Sequence, residues 1–128
     1  GDPRRRDTLV RLNEIKGREM WRPLAPSVRE ERFADFFESR GRSPFMLIAS
    51  QVRAERQASI PAVVHVDGTS RPQVVSETVL PLFHAVLRAF DDGPGVPLLV
   101  ETAEQAVDVF LDRRIDALAI GHAWVDRP

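Results

Sequence analysis

The sequence predicts a mixed α/β domain in which a twisted, mixed β-sheet is flanked by about three or four helices. Short apolar runs of strand length alternate along the chain with segments in which apolar residues recur at helical spacing. Turn-forming Gly, Pro and Asp-Gly pairs separate these segments. The length of 128 residues fits one domain with a single hydrophobic core.

Helical spacing of apolar residues predicts three helices, which cover Val28–Glu38, Leu80–Phe90 and Thr102–Leu111. A Ser or Thr with Glu or Gln three residues later, the spacing of a capping box, opens the first and the third. The breaker Gly93-Pro94-Gly95 ends the second. A further short apolar pattern, Leu9–Ile15, precedes a charged segment.

Segments rich in apolar or β-branched residues predict the strands. They are Phe45–Val52, Pro61–Val66, Gln73–Val75, Val96–Val100 and Ala117–Ile120. The Asp67-Gly68 pair is a strong turn signal, so the second and third strands are expected to form a hairpin.

Composition excludes several classes of function. The chain has no cysteine, which rules out disulfides, thiolate metal sites and a cysteine nucleophile. Its three histidines lack metal-ligand spacing, and the P-loop, dinucleotide-binding and hydrolase-elbow motifs are absent. The net charge of -1 argues against nucleic acid as a partner. No apolar run reaches the ~18 residues of a membrane span, and the N-terminal segment does not have the pattern of a secretory signal. We therefore expect a cytoplasmic protein.

Cations concentrate in three places. Arg4, Arg5 and Arg6 form either a small anion-binding patch or, as we favour, a solvated terminus. Lys16–Pro23 supplies one lysine and two arginines, the natural ligands of phosphate, although such a segment is more often a charged surface strand. His65–Gln73 gathers polar side chains around a glycine turn, which is either a ligand-binding loop or a hairpin that satisfies its own polar groups.

Taken in order, these segments resemble the C-terminal domain of the carbamoyltransferases. That family includes NodU-type nodulation proteins and enzymes that carbamoylate cephamycin, tobramycin and ansamycins. The resemblance covers nearly the whole chain, and the matching residues are Gly1–Arg4, Leu12-Asn13, Lys16–Glu19, Arg22-Pro23, Ala25-Pro26, Ser43–Met46, His65–Gln73, Gly95–Pro97 and Asp116–Leu118.

The resemblance implies a single YrdC-like domain over residues 1–128. Such a domain is expected to bind ATP and carbamoyl phosphate and to form carbamoyl adenylate, in natural-product biosynthesis. A separate N-terminal domain of the actin-like ATPase fold would then transfer the carbamoyl group to the hydroxyl of an acceptor small molecule. That domain is absent here, so an excised domain or fragment is expected.

Residue roles carry over from the same resemblance. The residues expected to hold carbamoyl phosphate and the developing phosphate charge are Lys16, Arg22 and Arg71. The residues expected on the nucleotide side are Arg18, His65, Asp67 and Thr69, although Arg18 and Glu19 could equally form a structural ion pair. Mg²⁺ is expected with ATP, held largely by phosphates and water, and no protein metal ligand is predicted.

One departure from the family lies between Val100 and Glu101. There the family carries about a dozen Ser-, Asn- and Gly-rich residues, the kind of loop whose amides cradle phosphate, and this chain does not. The alternative to an active domain is therefore a catalytically silent, degenerate domain that binds a nucleotide or a partner chain as a scaffold.

Overall fold

In a computed structural model, residues 1–38, 43–93 and 95–100 are described in full, together with the backbone of residues 117–120 and 123–126. These parts of the chain contain helices α1 (Arg6–Ile15), α2 (Ala54–Gln57) and α3 (Pro81–Asp92), and a 3₁₀-helix (Glu30–Asp35). Their strands are β1 (Pro26–Arg29), β2 (Ser50–Gln51), β3 (Thr69–Ser70), β4 (Gln73–Val75), β5 (Leu98–Val100), β6 (Ala117–Ile120) and β7 (Ala123–Asp126).

The main sheet has three strands in the order β4-β1-β5. Strand β1 lies in the centre, parallel to β4 and antiparallel to β5, so the sheet is mixed. Two antiparallel pairs, β2 with β3 and β6 with β7, form small additional sheets. The predicted mixed α/β class is confirmed.

One hydrophobic core lies against the main sheet. Val28 and Leu98 of the two antiparallel strands are fully buried, and Phe37 behind the 3₁₀-helix is almost completely buried. The other buried members of this cluster are Leu24, Phe36, Val52, Ile60, Val63, Val74, Val96 and Val100. Apolar burial of this kind is the main favourable contribution to folding, and here it fixes β1 between its two partners.

Charged side chains join helix α3 to the sheet. Arg29 at the end of β1 forms an ion pair with Asp91 of α3, and both side chains are about nine-tenths buried. Arg29 also contacts Glu31 in the 3₁₀-helix, with 3.0 Å between Nη1 and Oε1. The Nε2 atom of His84 on α3 lies 3.0 Å from the same Oε1. The buried charges are thus paired, which a low-dielectric interior requires.

The predicted helix over Val28–Glu38 is wrong, because no residue of this segment is α-helical. Val28 and Arg29 belong to strand β1, and only a 3₁₀-helix follows. Ser27 does not cap a helix, because its hydroxyl donates to Oε1 of Gln73 on β4 at 3.0 Å. Pairing on both sides of β1 outweighs the local helical spacing of the phenylalanines.

Of two further predicted strands, Phe45–Val52 is too long and Pro61–Val66 is wrong. Of Phe45–Val52, only Ser50–Gln51 is a strand, and Pro61–Val66 forms turns and loop. The expected hairpin does not form, because β4 pairs with β1 in parallel. Pro61 lacks the N–H that a strand ladder needs, while Val63 is buried as a loop side chain.

Other predictions are confirmed. The second helix is α3, the strand predicted over Val96–Val100 contains β5, and β6 has the predicted bounds. Strand β7 has no counterpart among the predicted elements. The helix predicted over Thr102–Leu111 lies outside the described residues.

A matched pair of leucines on α3 tests the core assignment. Leu87 is 0% exposed and Leu82 is 53% exposed. We expect Leu87→Ala to lower the free energy of unfolding by about 2–5 kcal/mol, because it leaves a cavity. Leu82→Ala should change it by no more than about 0.5 kcal/mol. Urea unfolding followed by circular dichroism measures both, and similar losses in the two variants would contradict this orientation of α3.

Candidate functional site

A cleft of about 580 Å³ lies beside the segments that lead into β1 and β4. Its charged and titratable lining residues are Arg6, Arg18, Arg22, His65, Asp67 and Arg71. Its apolar wall is formed by Leu9, Met20, Trp21, Pro23, Pro61, Val64 and Val66. The volume falls within the range of about 300–1,000 Å³ that is usual for small-molecule sites.

The register of the main sheet places two of these arginines at one edge. Ser27 of β1 pairs with Gln73 of β4, so the two parallel strands begin at the same edge. Arg22 precedes β1 by four residues and Arg71 precedes β4 by two. Val100, the last residue of β5, pairs with Pro26 at this edge.

A Schellman motif at the end of α1 directs Arg18 back toward the helix. Gly17 has a φ of +58°, a conformation that glycine adopts without strain. The N–H of Gly17 donates to the carbonyl of Glu14 at 3.1 Å, and that of Arg18 donates to the carbonyl of Asn13 at 2.9 Å. Gly17 therefore ends helix α1.

A tight turn presents His65 and Asp67. The N–H of Gly68 donates to the carbonyl of His65 at 3.0 Å, and the N–H of His65 donates to the carbonyl of Thr69 at 2.7 Å. Gly68 has a φ of +79°, and a Cβ there would lie 2.7 Å from Nε2 of Gln51. Only glycine fits this position, which explains the strong turn signal of the sequence.

Hydrogen bonds assign the tautomer of His65. The Thr69 hydroxyl donates to Oδ1 of Asp67 at 2.7 Å and lies 3.2 Å from Nδ1 of His65. The N–H and then the hydroxyl of Thr69 hold the pKa of Asp67 below its usual range, so this carboxylate is an acceptor. Since the one hydroxyl proton goes to Asp67, Nδ1 of His65 carries the proton that Thr69 accepts. Neutral His65 therefore has an unprotonated Nε2.

Positive charge exceeds negative charge in the cleft. Four lining arginines face one lining carboxylate, Asp67, which is already bonded to Thr69. Burial lowers the pKa of Arg18, and the nearby charges of Arg22 and Arg71 lower it further. Burial also lowers the pKa of His65, and Arg71 contributes to that shift. Because guanidinium groups stay protonated in proteins, the cleft holds mutually repelling cations that an anion would stabilise.

Three guanidinium groups have hydrogen-bonding capacity left for a ligand. Arg6 and Arg71 form no ion pair with any other described residue, and Nε of Arg18 is buried without a partner in the described part of the chain. The closest carboxylate to Arg22 is that of Glu19, at 3.6 Å, and both side chains are largely exposed. A planar guanidinium group can donate two parallel hydrogen bonds to two oxygens of a phosphate or carboxylate.

The structure brings together most of the residues that the sequence singles out. The cleft is lined by Arg18, Arg22, His65, Asp67 and Arg71, while Thr69 supports it through hydrogen bonds. Lys16 is exposed and does not line the cleft, so its role in binding stays a prediction.

The sequence analysis did not single out Arg6 or Trp21 as site residues. The favoured interpretation of the N-terminal arginines as solvated fits Arg4 and Arg5, which pair with the neighbouring Asp2 and Asp7. It does not fit Arg6, whose position at the start of α1 turns it to the cleft. Arg6 differs from Arg4 and Arg5 because it lies in α1, and its place beside the cleft is known only once the fold is known.

No group of three or more His, Asp or Glu residues in the described part of the chain could hold a metal ion. None of the helices described here combines the length and apolar character that spanning a bilayer requires.

Comparison with known proteins assigns the family. Residues 1–127 match the family described as "Carbamoyltransferase C-terminus". The chain belongs to the carbamoyltransferase C-terminal family. This match covers the cleft and all the elements around it, and it confirms the resemblance found in the sequence motifs.

Individual carbamoyltransferase relatives agree with this assignment. The chain is 39% identical over 136 residues to "Nodulation protein NolNO" of Sinorhizobium fredii, covering 94% of this chain and 20% of that protein. It is 35% identical over 132 residues to "3'-hydroxymethylcephem-O-carbamoyltransferase" of Amycolatopsis lactamdurans, covering 94% of this chain and 25% of that protein. The carbamoyltransferase domain described here thus spans a quarter or less of the length of these relatives.

Alignment lengths show that some relatives carry extra residues inside the matched region. The match to NolNO runs over 136 positions, whereas 94% of a 128-residue chain is about 120 residues, so about 16 have no counterpart here. The match to "Nodulation protein U" of Bradyrhizobium diazoefficiens, 40% identical, covers 92 positions, 72% of this chain and 16% of that protein. These 92 positions equal 72% of 128 residues, so the match has no net insertion. Any continuous stretch of 92 residues in this chain must include residues 37–92. The match to Nodulation protein U therefore needs no insertion within residues 37–92.

The electrostatics of the cleft predict the titration of His65. Removing the charge of Arg71 with Arg71→Ala should raise the pKa of His65, because Arg71 disfavours its protonated form. A bound phosphate ligand should raise that pKa as well, so anion binding should strengthen as the pH falls through the titration of His65.

Proton NMR titration of the imidazole ring measures the change. Arg88→Ala is the matched control, because Arg88 is an exposed arginine on α3 that does not line the cleft. A pKa of His65 that is unchanged or lower in Arg71→Ala would contradict the proximity of the two side chains.

Proposed function

We propose that this domain binds ATP and carbamoyl phosphate and forms carbamoyl adenylate, from which the carbamoyl group passes to an acceptor hydroxyl. In this reaction carbamoyl phosphate loses its phosphoryl group to water as inorganic phosphate, the carbamoyl oxygen displaces pyrophosphate from ATP, and AMP leaves when the carbamoyl group is transferred. Membership of the carbamoyltransferase family supports carbamoyl transfer as the reaction class. The ligands and the intermediate are our proposal, which rests on the chemistry of the cleft.

The observation that carries the proposal is the set of arginines in one cleft. Arg18, Arg22 and Arg71 approach it from three points of the chain, the end of α1 and the entries of β1 and β4. Phosphoryl and nucleotidyl transfer depends mostly on positioning and on stabilising charge on phosphate oxygens, which fixed guanidinium groups provide. Arg22 and Arg71 are assigned to carbamoyl phosphate, and Arg18 with His65 to the nucleotide side. Arg18 is close enough to Arg22 and Arg71 for their charges to act on one another, so we propose that it also contributes to holding carbamoyl phosphate.

The composition of the cleft also fits a nucleotide. The lining also includes the apolar side chains of Trp21 and Met20, and Trp21 is 76% exposed. An aromatic face of this kind can stack on a base. The described residues supply no metal-binding cluster, so Mg²⁺ would be held by the ligand's phosphates and by water.

The proposed reaction also has requirements outside this domain. The relatives are at least four times as long as the match, and we propose that their additional length, in a separate transferase domain, supplies the acceptor site. One of them is named for carbamoyl transfer to a hydroxymethylcephem, which supports a small natural product as the acceptor. Because ATP and carbamoyl phosphate are cytoplasmic metabolites, we propose a cytoplasmic location.

A second candidate is a catalytically silent scaffold domain that binds nucleotide or a partner chain. About 16 positions of the NolNO match have no counterpart in this chain, and this favours the second candidate, since we propose that they include the phosphate-cradling loop expected after Val100. Both candidates use the cleft. They differ in whether the bound ligands react.

Calorimetry with carbamoyl phosphate and with ATP tests the proposal. We expect the domain to bind both, and Arg71→Ala to weaken carbamoyl phosphate binding tenfold or more, because a charge-assisted hydrogen bond contributes roughly 1.5–3 kcal/mol. Arg88→Ala removes the same charge away from the cleft and should bind like the wild type.

The outcomes separate the two candidates. Absence of binding by the wild-type domain, or equal weakening in both variants, would overturn the cleft as the site. Binding followed by carbamoyl-phosphate-dependent exchange of pyrophosphate into ATP supports the adenylation proposal. Binding without exchange supports the silent scaffold.

A further inference from the structure

Asn13 is a polar side chain of α1 that is 0% exposed. It does not line the cleft. A buried amide without partners destabilises a fold, so the bonds that it makes explain its presence in the interior.

Both ends of the Asn13 side chain bond to arginines that do line the cleft. Its Nδ2 donates to the backbone carbonyl of Arg22 at 2.8 Å. Its Oδ1 accepts from Nη2 of Arg18 at 3.0 Å. Its backbone carbonyl accepts the N–H of Arg18 at 2.9 Å, which is the bond of the Schellman motif that joins residues five apart. One residue of the helix thus fixes the backbone at Arg22 and both the backbone and side chain of Arg18.

The neutrality of Asn13 is important for this arrangement. Arg18 lies close enough to Arg22 and Arg71 for their charges to lower its pKa, so repulsion acts to separate the three groups. A carboxylate at position 13 would hold Arg18 but cancel its charge. A carboxamide holds it with a hydrogen bond and leaves the positive charge available to a ligand.

We propose that Asn13 is a positioning residue of the anion-binding cleft, which holds Arg18 and Arg22 in place without neutralising them. The proposal rests on the function proposed above, because it requires the cleft to bind an anionic ligand. It adds a role for a residue that does not touch the ligand. Preorganised donors bind more tightly because less freedom is lost when the ligand arrives.

Asn13→Leu tests the proposal, because leucine keeps the branched shape and removes both polar atoms. We expect it to weaken carbamoyl phosphate binding by about tenfold, the effect of losing one hydrogen bond to a charged group. The matched control is Ser27→Ala, which also removes a buried hydrogen bond. Its partner Gln73 does not line the cleft, whereas the arginines that Asn13 holds do. Ser27→Ala should lose stability and keep its affinity.

A double-mutant cycle separates positioning from a general loss of structure. If Asn13 acts through Arg18, Asn13→Leu should weaken binding less in an Arg18→Ala background than in the wild type. An equal loss in both backgrounds, or equal weakening by Ser27→Ala and Asn13→Leu, would overturn the proposal.

A measurement on the ligand-free domain tests the positioning role of Asn13 separately from the proposed function. ¹⁵N relaxation of the Arg18 Nε–H group in the wild-type domain should give an order parameter of about 0.8, close to that of rigid backbone. In Asn13→Leu that order parameter should fall. A mobile Arg18 in the wild type would overturn the positioning role even if carbamoyl phosphate binds. A rigid Arg18 with no binding would leave Asn13 as a purely structural residue and overturn both proposals.

Discussion

Strand β1 pairs on both sides, with β4 in parallel and with β5 in antiparallel register, and the position of the cleft depends on this pairing. Parallel strands begin at the same edge, so the segments before β1 and β4 must meet there. Those segments carry Arg22 and Arg71. The buried side chain of Val28 and the ion pair between Arg29 and Asp91 secure β1 against the core and against α3. The packing that stabilises the domain therefore also brings two distant arginines together.

The other half of the cleft depends on the end of α1. Gly17 allows the Schellman motif, the motif returns Arg18 to Asn13, and Asn13 reaches Arg22. The result is a group of cations held by neutral partners, with one carboxylate already bonded to Thr69. Such a group is electrostatically unfavourable without a ligand and favourable with an anion. Functional sites commonly contain charged groups whose neighbours shift their pKa, and here the repulsion between the arginines indicates that the ligand is negatively charged.

The sequence predicted much of the site and less of the fold around it. Arg18, Arg22, His65, Asp67 and Arg71 were predictable because several motifs occur in the order that the family shows. The helix predicted over Val28–Glu38 was wrong because the strand pairing of β1 is a long-range interaction that local spacing does not contain. The sequence offered Arg6 only as part of a disfavoured anion-binding patch and Asn13 only as part of a matching motif, because their roles depend on how α1 packs beside the cleft.

The central claim is that the arginines of the cleft together bind one phosphate-containing ligand. Titration of the ¹⁵N-labelled domain with carbamoyl phosphate, followed through the Nε–H signals of arginine, tests it most directly. The account predicts that the signals of Arg18, Arg22 and Arg71 shift together with one common affinity, while that of Arg88 does not move. Shifts confined to arginines outside the cleft, or different affinities for the three, would contradict it.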